Sequence, residues 1–271
     1  FAFGLPKAEL HLHLEGTLEP DLKLALARKN GVDIGQSTVE EVQATYRFND
    51  LTSFLAVYYP AMDVLQDEDD FHDLAAAYFE RARANGVVRA ECFFDPQAHT
   101  SRGIAIETVI RGYHRAVVEA REAGLSADLI LCFLRDMSAQ SALETLQAAL
   151  PYKDMFIGVG LDSDERDNPP TKFAEVFALA REAGLHVTMH CDIDQVGSID
   201  NIRAALIELG AERLAHGTNI VEDPELVAYA RDHGIGLTSC PLSNSFVTEE
   251  MKGKEIVELT AAGVKVSVNS D

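Results

Sequence analysis

Basic residues are scarce in this sequence. Its 271 residues include 23 lysines and arginines against 44 aspartates and glutamates, which gives a formal net charge of −21 at pH 7. A surface this acidic repels phosphate backbones, so we expect no nucleic-acid partner. A small molecule is the partner that this composition favours.

Long apolar runs and paired cysteines are also missing. No apolar stretch is long enough to span a bilayer and no leader peptide is recognisable, so we expect no membrane partner. The four cysteines are scattered, and no two of them have CxxC spacing. This pattern predicts buried free thiols in a reducing compartment, and with it a cytoplasmic protein.

Strand-like and helix-like segments alternate along the chain. The strand candidates are short and apolar on both faces, as buried parallel strands are. They are 8–13, 87–94, 127–134, 155–162, 186–191, 213–217, 235–240 and 265–271. Amphipathic helical segments lie between them at 69–84, 104–123, 138–149, 172–183, 199–209 and 223–233. About eight such units predict an α/β fold, a (β/α)8 TIM barrel, as a single domain over 1–271 with extra helices between strands 1 and 2.

Polar residues stand where several of these strands end. The stretch "AELHLHLEG" holds His11 and His13, which an extended strand would place on one face. Other strand candidates end in Asp162, His190, His216 and Asp271. Each residue alone is as well explained by a hydrogen-bonded position in the core. Active sites of such barrels, however, collect at the C-terminal ends of the strands, so these side chains are expected to meet.

The residues that would meet suit a metal ion. Three neutral imidazoles and one carboxylate are typical ligands of Zn²⁺ in catalytic sites, where a further position stays open for water. Zinc lowers the pKa of such a water toward neutrality. His216 could be a ligand or could orient that water.

Several motifs of the chain resemble one family. "LPKAELHLHLEGTL", "FFDPQAHTSRG", "GVGLDS", "AHG", "CPLSN" and "VKVSVNSD" follow one another in the order of the adenosine/adenine deaminase family of the amidohydrolase superfamily. They span nearly the whole chain and are most similar to bacterial and fungal adenine deaminases. The resemblance implies a zinc barrel of purine salvage that hydrolyses adenine, a 6-aminopurine, to hypoxanthine and ammonia.

The resemblance also assigns roles to residues. One Zn²⁺ per chain would be held by His11, His13, His190 and Asp271. His216 would orient the attacking water. The purine pocket would be lined by Gly160, Asp162 and Ser163. Glu15 stands where the adenosine enzymes usually have an aspartate that reaches the ribose, which favours the free base as substrate.

The segment "HCDIDQ" departs from the family pattern. Family members usually read H-A-G-E there, and the glutamate passes a proton to purine N1. Ile193 occupies that position and cannot transfer a proton. Asp192 lies two residues after His190 and would point to the same side if the strand continues. Asp194 lies one residue past the usual glutamate. Either is therefore a candidate proton donor.

Two other readings stay open beside adenine deamination. One is a deaminase of N6-substituted adenine or of adenosine-like purines. The other is a degenerate barrel that binds zinc and purine with little turnover. A homo-oligomer is left open. Family members continue past the position of Asp271 with a closing helix, so we expect the native chain to continue there too.

Overall fold

The centre of the protein is one sheet of eight parallel strands. The computed structural model describes residues 4–47, 50–191, 198–248 and 250–271. The strands pair in sequence order, each with the next along the chain. They are β1 Lys7–Glu9, β2 Val87–Phe94, β3 Ser126–Leu134, β4 Gly158–Asp162, β5 His186–Cys191, β6 Arg213–His216, β7 Gly236–Ser239 and β8 Lys265–Val268.

Two hydrogen bonds bring the ends of the sheet together. The backbone N–H of Asp271, beyond β8, donates to the carbonyl of His11 at 3.0 Å. The N–H of Leu10 donates to Oδ1 of Asn269, also at 3.0 Å. The sheet is therefore a nearly closed barrel, and the predicted TIM-barrel architecture is confirmed.

Helices surround this barrel between successive strands. They are α1 Pro20–Asn30, α2 Val39–Gln43, α3 Leu51–Ala61, α4 Glu68–Ala84, α5 Pro96–Thr100, α6 Ile106–Glu122, α7 Ala139–Ala149, α8 Ala174–Glu182, α9 Ser198–Arg203, α10 Pro224–His233, α11 Pro241–Val247 and α12 Gly253–Ala261. Helices α1 to α4 all fall between β1 and β2, where extra helices were expected. Their ends follow local chemistry: Asp67 and Asp70 form a capping box at the start of α4, and arginines fill its last turn.

The first predicted strand is wrong in its extent. The segment 8–13 does not form one strand, because β1 ends at Glu9. His13 makes only an isolated bridge to Phe93, and a short 3₁₀ helix over Leu14–Thr17 follows. The chain nevertheless stays beside β2 as far as His13, because the N–H of Phe93 donates to the carbonyl of Leu12 at 2.8 Å. The His11 ring bonds to Thr238 inside the barrel.

The core fills the barrel interior and the layer between strands and helices. All four cysteines are buried free thiols, as predicted. Among the described residues, none of the helices combines the length and the apolar character needed to cross a membrane.

Helices α4 and α6 pack so closely that a side chain is excluded at Gly112. A Cβ atom at Gly112 would lie 2.5 Å from the carbonyl oxygen of Glu68 and 2.6 Å from Cβ of Phe71. We predict that Gly112→Ala lowers the free energy of unfolding by about 1–3 kcal/mol, because the two helices must separate. Urea unfolding followed by circular dichroism measures this change.

Gly253→Ala is the matched control. Gly253 lies in α12, and a Cβ there would meet nothing within 4 Å. This substitution should leave stability unchanged or raise it slightly. Equal effects of the two substitutions would contradict the close packing of α4 on α6.

Candidate active site

Four histidines and one aspartate meet at the C-terminal end of the barrel. Nε2 of His13 lies 3.0 Å from Nε2 of His190. Nε2 of His11 lies 3.1 Å from Oδ1 of Asp271. Nε2 of His216 lies 3.7 Å from the other oxygen of Asp271. The structure thus brings together five of the six side chains predicted from the strand ends, and we call these five residues the metal cluster.

Hydrogen bonds behind the rings turn their Nε2 atoms inward. Nδ1 of His11 lies 2.9 Å from Oγ1 and 3.1 Å from the carbonyl oxygen of Thr238. Nδ1 of His190 lies 3.0 Å from the carbonyl oxygen of Leu161. A carbonyl can only accept, so these contacts place the proton on Nδ1 and leave the Nε2 lone pair free. Metal-binding histidines are typically oriented in this way.

The metal cluster fits a cation by distance and by donor type. Ligand atoms of His11, His190, His216 and Asp271 all lie within 4.8 Å of one another. Nε2 of His13 and Nε2 of His190 face each other at hydrogen-bond distance, so a proton or a cation can bridge them. Tetrahedral Zn–N bonds of 2.0–2.1 Å imply a nitrogen separation of about 3.3 Å, close to that observed. Nε2 of His11 and both ring nitrogens of His216 are buried without a hydrogen bond from described residues.

Burial favours the neutral form of three of these imidazoles, which is the form that binds a metal. It lowers the pKa of His13 to about 4 and that of His216 to about 3. The pKa of His190 is lowered well below its usual value by burial and by the other histidines. Burial raises the pKa of Asp271, but His11 and the other nearby histidines outweigh it and hold that pKa well below its usual range. His13, His190 and His216 therefore present neutral nitrogens, and Asp271 presents an ionised oxygen.

Four residues of the metal cluster form the floor of a cavity of about 260 Å³: His13, His190, His216 and Asp271. Its roof comes from two helices that flank the mouth: α3 contributes Phe54, Leu55, Tyr58 and Tyr59, and α11 contributes Leu242, Ser243 and Phe246. The hydroxyl of Tyr59 hydrogen-bonds to Oγ of Ser163 at 2.8 Å and ties α3 to the end of β4. An apolar slot over a polar floor suits a flat, mostly apolar ring.

Asp95 and Asp162 form a second polar group on the cavity wall. Oδ2 of Asp162 lies 3.4 Å from Nδ1 of His13. Burial raises the pKa of Asp162 to about 7, although side-chain hydrogen bonds with Asp95 and Cys132 lower it. Burial raises the pKa of Asp95 well above its usual value, and the negative charges of Asp162 and Glu15 raise it further. Asp162 and Ser163 thus lie on the cavity wall, where the sequence prediction put them.

Two predicted pocket residues do not line the cavity. Glu15 is buried beside it and accepts hydrogen bonds from Nε2 of His99 at 3.0 Å, the N–H of Asp95 at 3.1 Å and the Tyr113 hydroxyl at 3.1 Å. Gly160 lies inside the barrel, where a Cβ would come within 2.5 Å of Sγ of Cys132. Their predicted roles in binding the purine stay predictions.

The cavity also contains residues that the sequence analysis missed. Asp95 directly follows β2, so the strand-end rule that found the histidines could have found it too. The roof residues do not follow a strand, and aromatic residues on a helix usually indicate packing in the core, so the sequence offered no reason to select them. Arg135 was missed as well: it is fully buried and donates to the carbonyl of His190 at 2.9 Å, which fixes the end of β5. Asp192, Ile193 and Asp194 lie outside the described residues.

Strained backbone marks the same end of the barrel. Ser163, His216 and Asp271 have positive φ angles of 71°, 61° and 82°. Such conformations are costly for residues with a Cβ and persist where the surroundings enforce them. All three residues line the cavity. The fold therefore holds their side chains in place at some expense of backbone strain.

Comparison with known proteins agrees with this site. The family model described as adenosine deaminase matches residues 6–271. An adenine deaminase of Geotalea uraniireducens is 51% identical over 270 residues, which are 98% of this chain and 76% of the relative. The crystal structure of an adenine deaminase from Arthrobacter aurescens superposes with a TM-score of 0.93 at 45% identity, covering 98% of this chain and 82% of the other.

A further structure bears on the metal. An amidohydrolase from Burkholderia ambifaria, described with bound zinc, has a TM-score of 0.85 at 29% identity, over 98% of this chain and 75% of the other. The family model matches nearly the whole chain, relatives are about half identical to it, and the metal cluster lies at the barrel mouth. We conclude that the chain belongs to the adenosine deaminase family.

Proposed function

We propose that this protein is a zinc-dependent deaminase that hydrolyses adenine to hypoxanthine and ammonia. The observation that carries the proposal is the metal cluster at the floor of a cavity with an aromatic roof, in a chain whose relatives include adenine deaminases at about half identity. Deamination at a purine 6-carbon needs a water made nucleophilic and a proton delivered to the ring. The nitrogens and the carboxylate of the metal cluster could hold the metal ion that activates the water.

We propose His11, His13, His190 and Asp271 as the ligands of one Zn²⁺. Bound there, zinc would supply a Lewis acid that makes water nucleophilic at neutral pH. His216, with both ring nitrogens unpartnered among the described residues, would hold and orient that water and take up its proton. The distance from His216 to Asp271 would also fit a metal ligand. We leave His216 out of the ligand set because the family resemblance assigns it to the attacking water.

The remaining residues of the site would bind and orient the base. The aromatic roof of α3 and α11 would stack over the purine and exclude bulk water. Asp192 or Asp194 would donate a proton to N1, in place of the glutamate that Ile193 replaces. Four buried free thiols suit a reducing environment and support the cytoplasmic location we propose.

The proposal predicts rapid ammonia release from adenine. Zinc-loaded protein should convert adenine to hypoxanthine and ammonia faster than it converts adenosine to inosine or N6-methyladenine to hypoxanthine and methylamine, and a chelator should abolish the conversion. The three substrates are compared side by side by chromatography of the 6-oxo products. Product formed only from N6-methyladenine would replace adenine as the substrate. Zinc binding without product from any of them would favour a binding protein over an enzyme.

We expect His13→Ala to lose both metal and activity. Its Nε2 lies 3.0 Å from that of His190, so removing the ring opens the proposed ligand set. Substitutions that only disturb the surroundings of a ligand typically cost 10–100-fold in metal affinity, and losing a ligand should cost about 100-fold or more. Zinc per chain by atomic emission and the adenine assay measure the effect. The control is His233→Ala, since His233 is exposed and stacks on Tyr229 in α10; full activity of His13→Ala without bound zinc would refute the proposed ligand.

Substitution of the two acids after β5 should identify the proton donor. We expect one of Asp192→Asn and Asp194→Asn to lower kcat by about 10²–10⁴-fold, as the loss of a general acid does, and the other to have little effect. Zinc content should stay at the wild-type level in both variants. The kcat–pH profile of the impaired variant should lose one limb. Unimpaired kcat in both variants would assign the proton to another group.

A further inference from the structure

A fully buried arginine lies beside the metal cluster. Arg135 directly follows β3 and is 0% exposed. An arginine is almost never buried to this extent unless its charge is paired. Oε2 of Glu165 lies 3.4 Å from Nη1 of Arg135 and supplies the opposite charge. Because a buried ion pair loses much of its hydration, its presence at this position requires an explanation other than stability.

The guanidinium of Arg135 joins two separate segments of backbone. Nη1 donates to the carbonyl of His190 at 2.9 Å. Nε and Nη2 both donate to the carbonyl of Asn168, at 2.9 and 2.8 Å. A guanidinium is planar and presents its N–H groups at fixed angles. The two carbonyls are therefore held at a fixed spacing.

One of these carbonyls belongs to a proposed metal ligand. The ring of His190 is held by the carbonyl oxygen of Leu161, 3.0 Å from Nδ1, and its backbone is held by Arg135. The ring contact fixes the direction in which Nε2 points, and the backbone contact fixes the position of the residue. Contacts behind a metal-binding histidine orient it before the metal binds. Loss of the Arg135 contact should therefore move Nε2 of His190 relative to the other ligands.

The other carbonyl belongs to a loop that forms part of the cavity wall. We call residues 162–168 the wall loop, and Asp162 and Ser163 line the cavity at its start. Nδ2 of Asn168 donates to the carbonyl of Asp164 at 3.1 Å, which closes the loop on itself. A guanidinium that holds Asn168 therefore holds the end of a closed loop.

Arg135 contacts the wall loop at two further points. Its charge partner Glu165 lies in the middle of the loop. The backbone N–H of Arg135 donates to the carbonyl of Asp162, the first residue of the loop, at 3.1 Å. One residue thus holds the wall loop at its start, middle and end, and the same residue holds the backbone of His190.

We propose that Arg135 is a positioning residue that sets the spacing between the metal ligand His190 and the wall loop. This inference rests on the proposed function, because a purine must fit between the metal and the wall for its 6-carbon to be attacked. Arg135 does not line the cavity, so it acts through the residues that it holds. A displacement of about 1 Å at a reacting centre can cost about 100-fold in rate, so a residue outside the cavity can affect catalysis strongly.

Arg135→Lys tests the geometry and keeps the charge. A lysine can pair with Glu165, but its ammonium group is compact and cannot hold both carbonyls as the planar guanidinium does. Co²⁺ is the probe for the metal ligands, because zinc has a filled d shell and no visible bands, whereas the visible bands of Co²⁺ depend on where its ligands lie. We expect the variant to bind one Co²⁺ per chain, as the wild type does, with bands shifted in wavelength and intensity.

The same variant should be impaired in both kinetic constants. With zinc bound, kcat for adenine should fall about 10–100-fold because His190 is displaced, and KM should rise because the wall loop loses its anchor. Hypoxanthine is measured by chromatography at a temperature at which circular dichroism shows the variant to be folded. If Arg135→Lys does not fold, Arg135→Met together with Glu165→Gln removes both buried charges at once, a replacement that proteins often tolerate, and the same readouts apply.

Arg121→Lys is the matched control. Arg121 lies in α6, donates from Nε to the carbonyl of Ala127 at 2.8 Å and pairs with Asp128. It therefore also joins a strand carbonyl and a carboxylate, but near the start of β3, at the end of the barrel away from the metal cluster. The Co²⁺ bands, kcat and KM of this variant should stay at their wild-type values.

Two results would overturn the inference. One is a Co²⁺ spectrum or a kcat that stays at the wild-type value in the Arg135 variant. The other is an equal change in Arg121→Lys, since the effect would then not depend on the contacts of Arg135. Wild-type bands in a variant of a protein that deaminates adenine would overturn this inference alone. Shifted bands in a protein that forms no hypoxanthine from adenine would overturn the proposed function alone.

Discussion

The structure depends on holding four imidazoles against one another at the mouth of the barrel. Nε2 of His13 and Nε2 of His190 lie 3.0 Å apart, so a proton or a cation can bridge them. The fold holds the rings from behind, through Thr238 for His11 and the Leu161 carbonyl for His190. Arg135 then fixes the backbone of β5 by a bond to the carbonyl of His190. Because these contacts fix the rings before any ligand binds, the site is preorganised for a metal.

The barrel explains why residues far apart in sequence share this site. His11 and Asp271 lie 260 positions apart, yet the N–H of Asp271 bonds to the carbonyl of His11 where the sheet closes. The same closure makes the end of every strand a neighbour of the cavity. Polar residues just past the strands then meet without any local signal that they will do so. The cost appears as positive φ angles at Ser163, His216 and Asp271, where the chain leaves a strand and must turn its side chain inward.

The sequence was sufficient for the architecture and for the residues of the metal cluster. Apolar runs of the right length located β2, β3 and β5 well, because a strand buried on both faces has a distinctive composition. The same reasoning failed for 8–13, since composition does not reveal that regular strand pairing stops at Glu9 and leaves only an isolated bridge at His13. Glu15 could not be placed either. Its neighbours His99 and Tyr113 come from α5 and α6, and only the packed structure brings these helices against it.

Charge balance connects the metal cluster with the rest of the cavity. Asp271, Asp162, Asp95 and Glu15 are buried or nearly so at one end of the barrel, and burial lowers the pKa of His13 and His216 beside them. Glu15 is compensated by three donors, and the histidines lower the pKa of Asp271. A divalent cation would offset the charge on the floor of the cavity. Asp95 and Asp162 on the wall are stabilised in another way: a side-chain hydrogen bond joins them, and the raised pKa of both favours one proton held between the two carboxyl groups, which removes one of their charges.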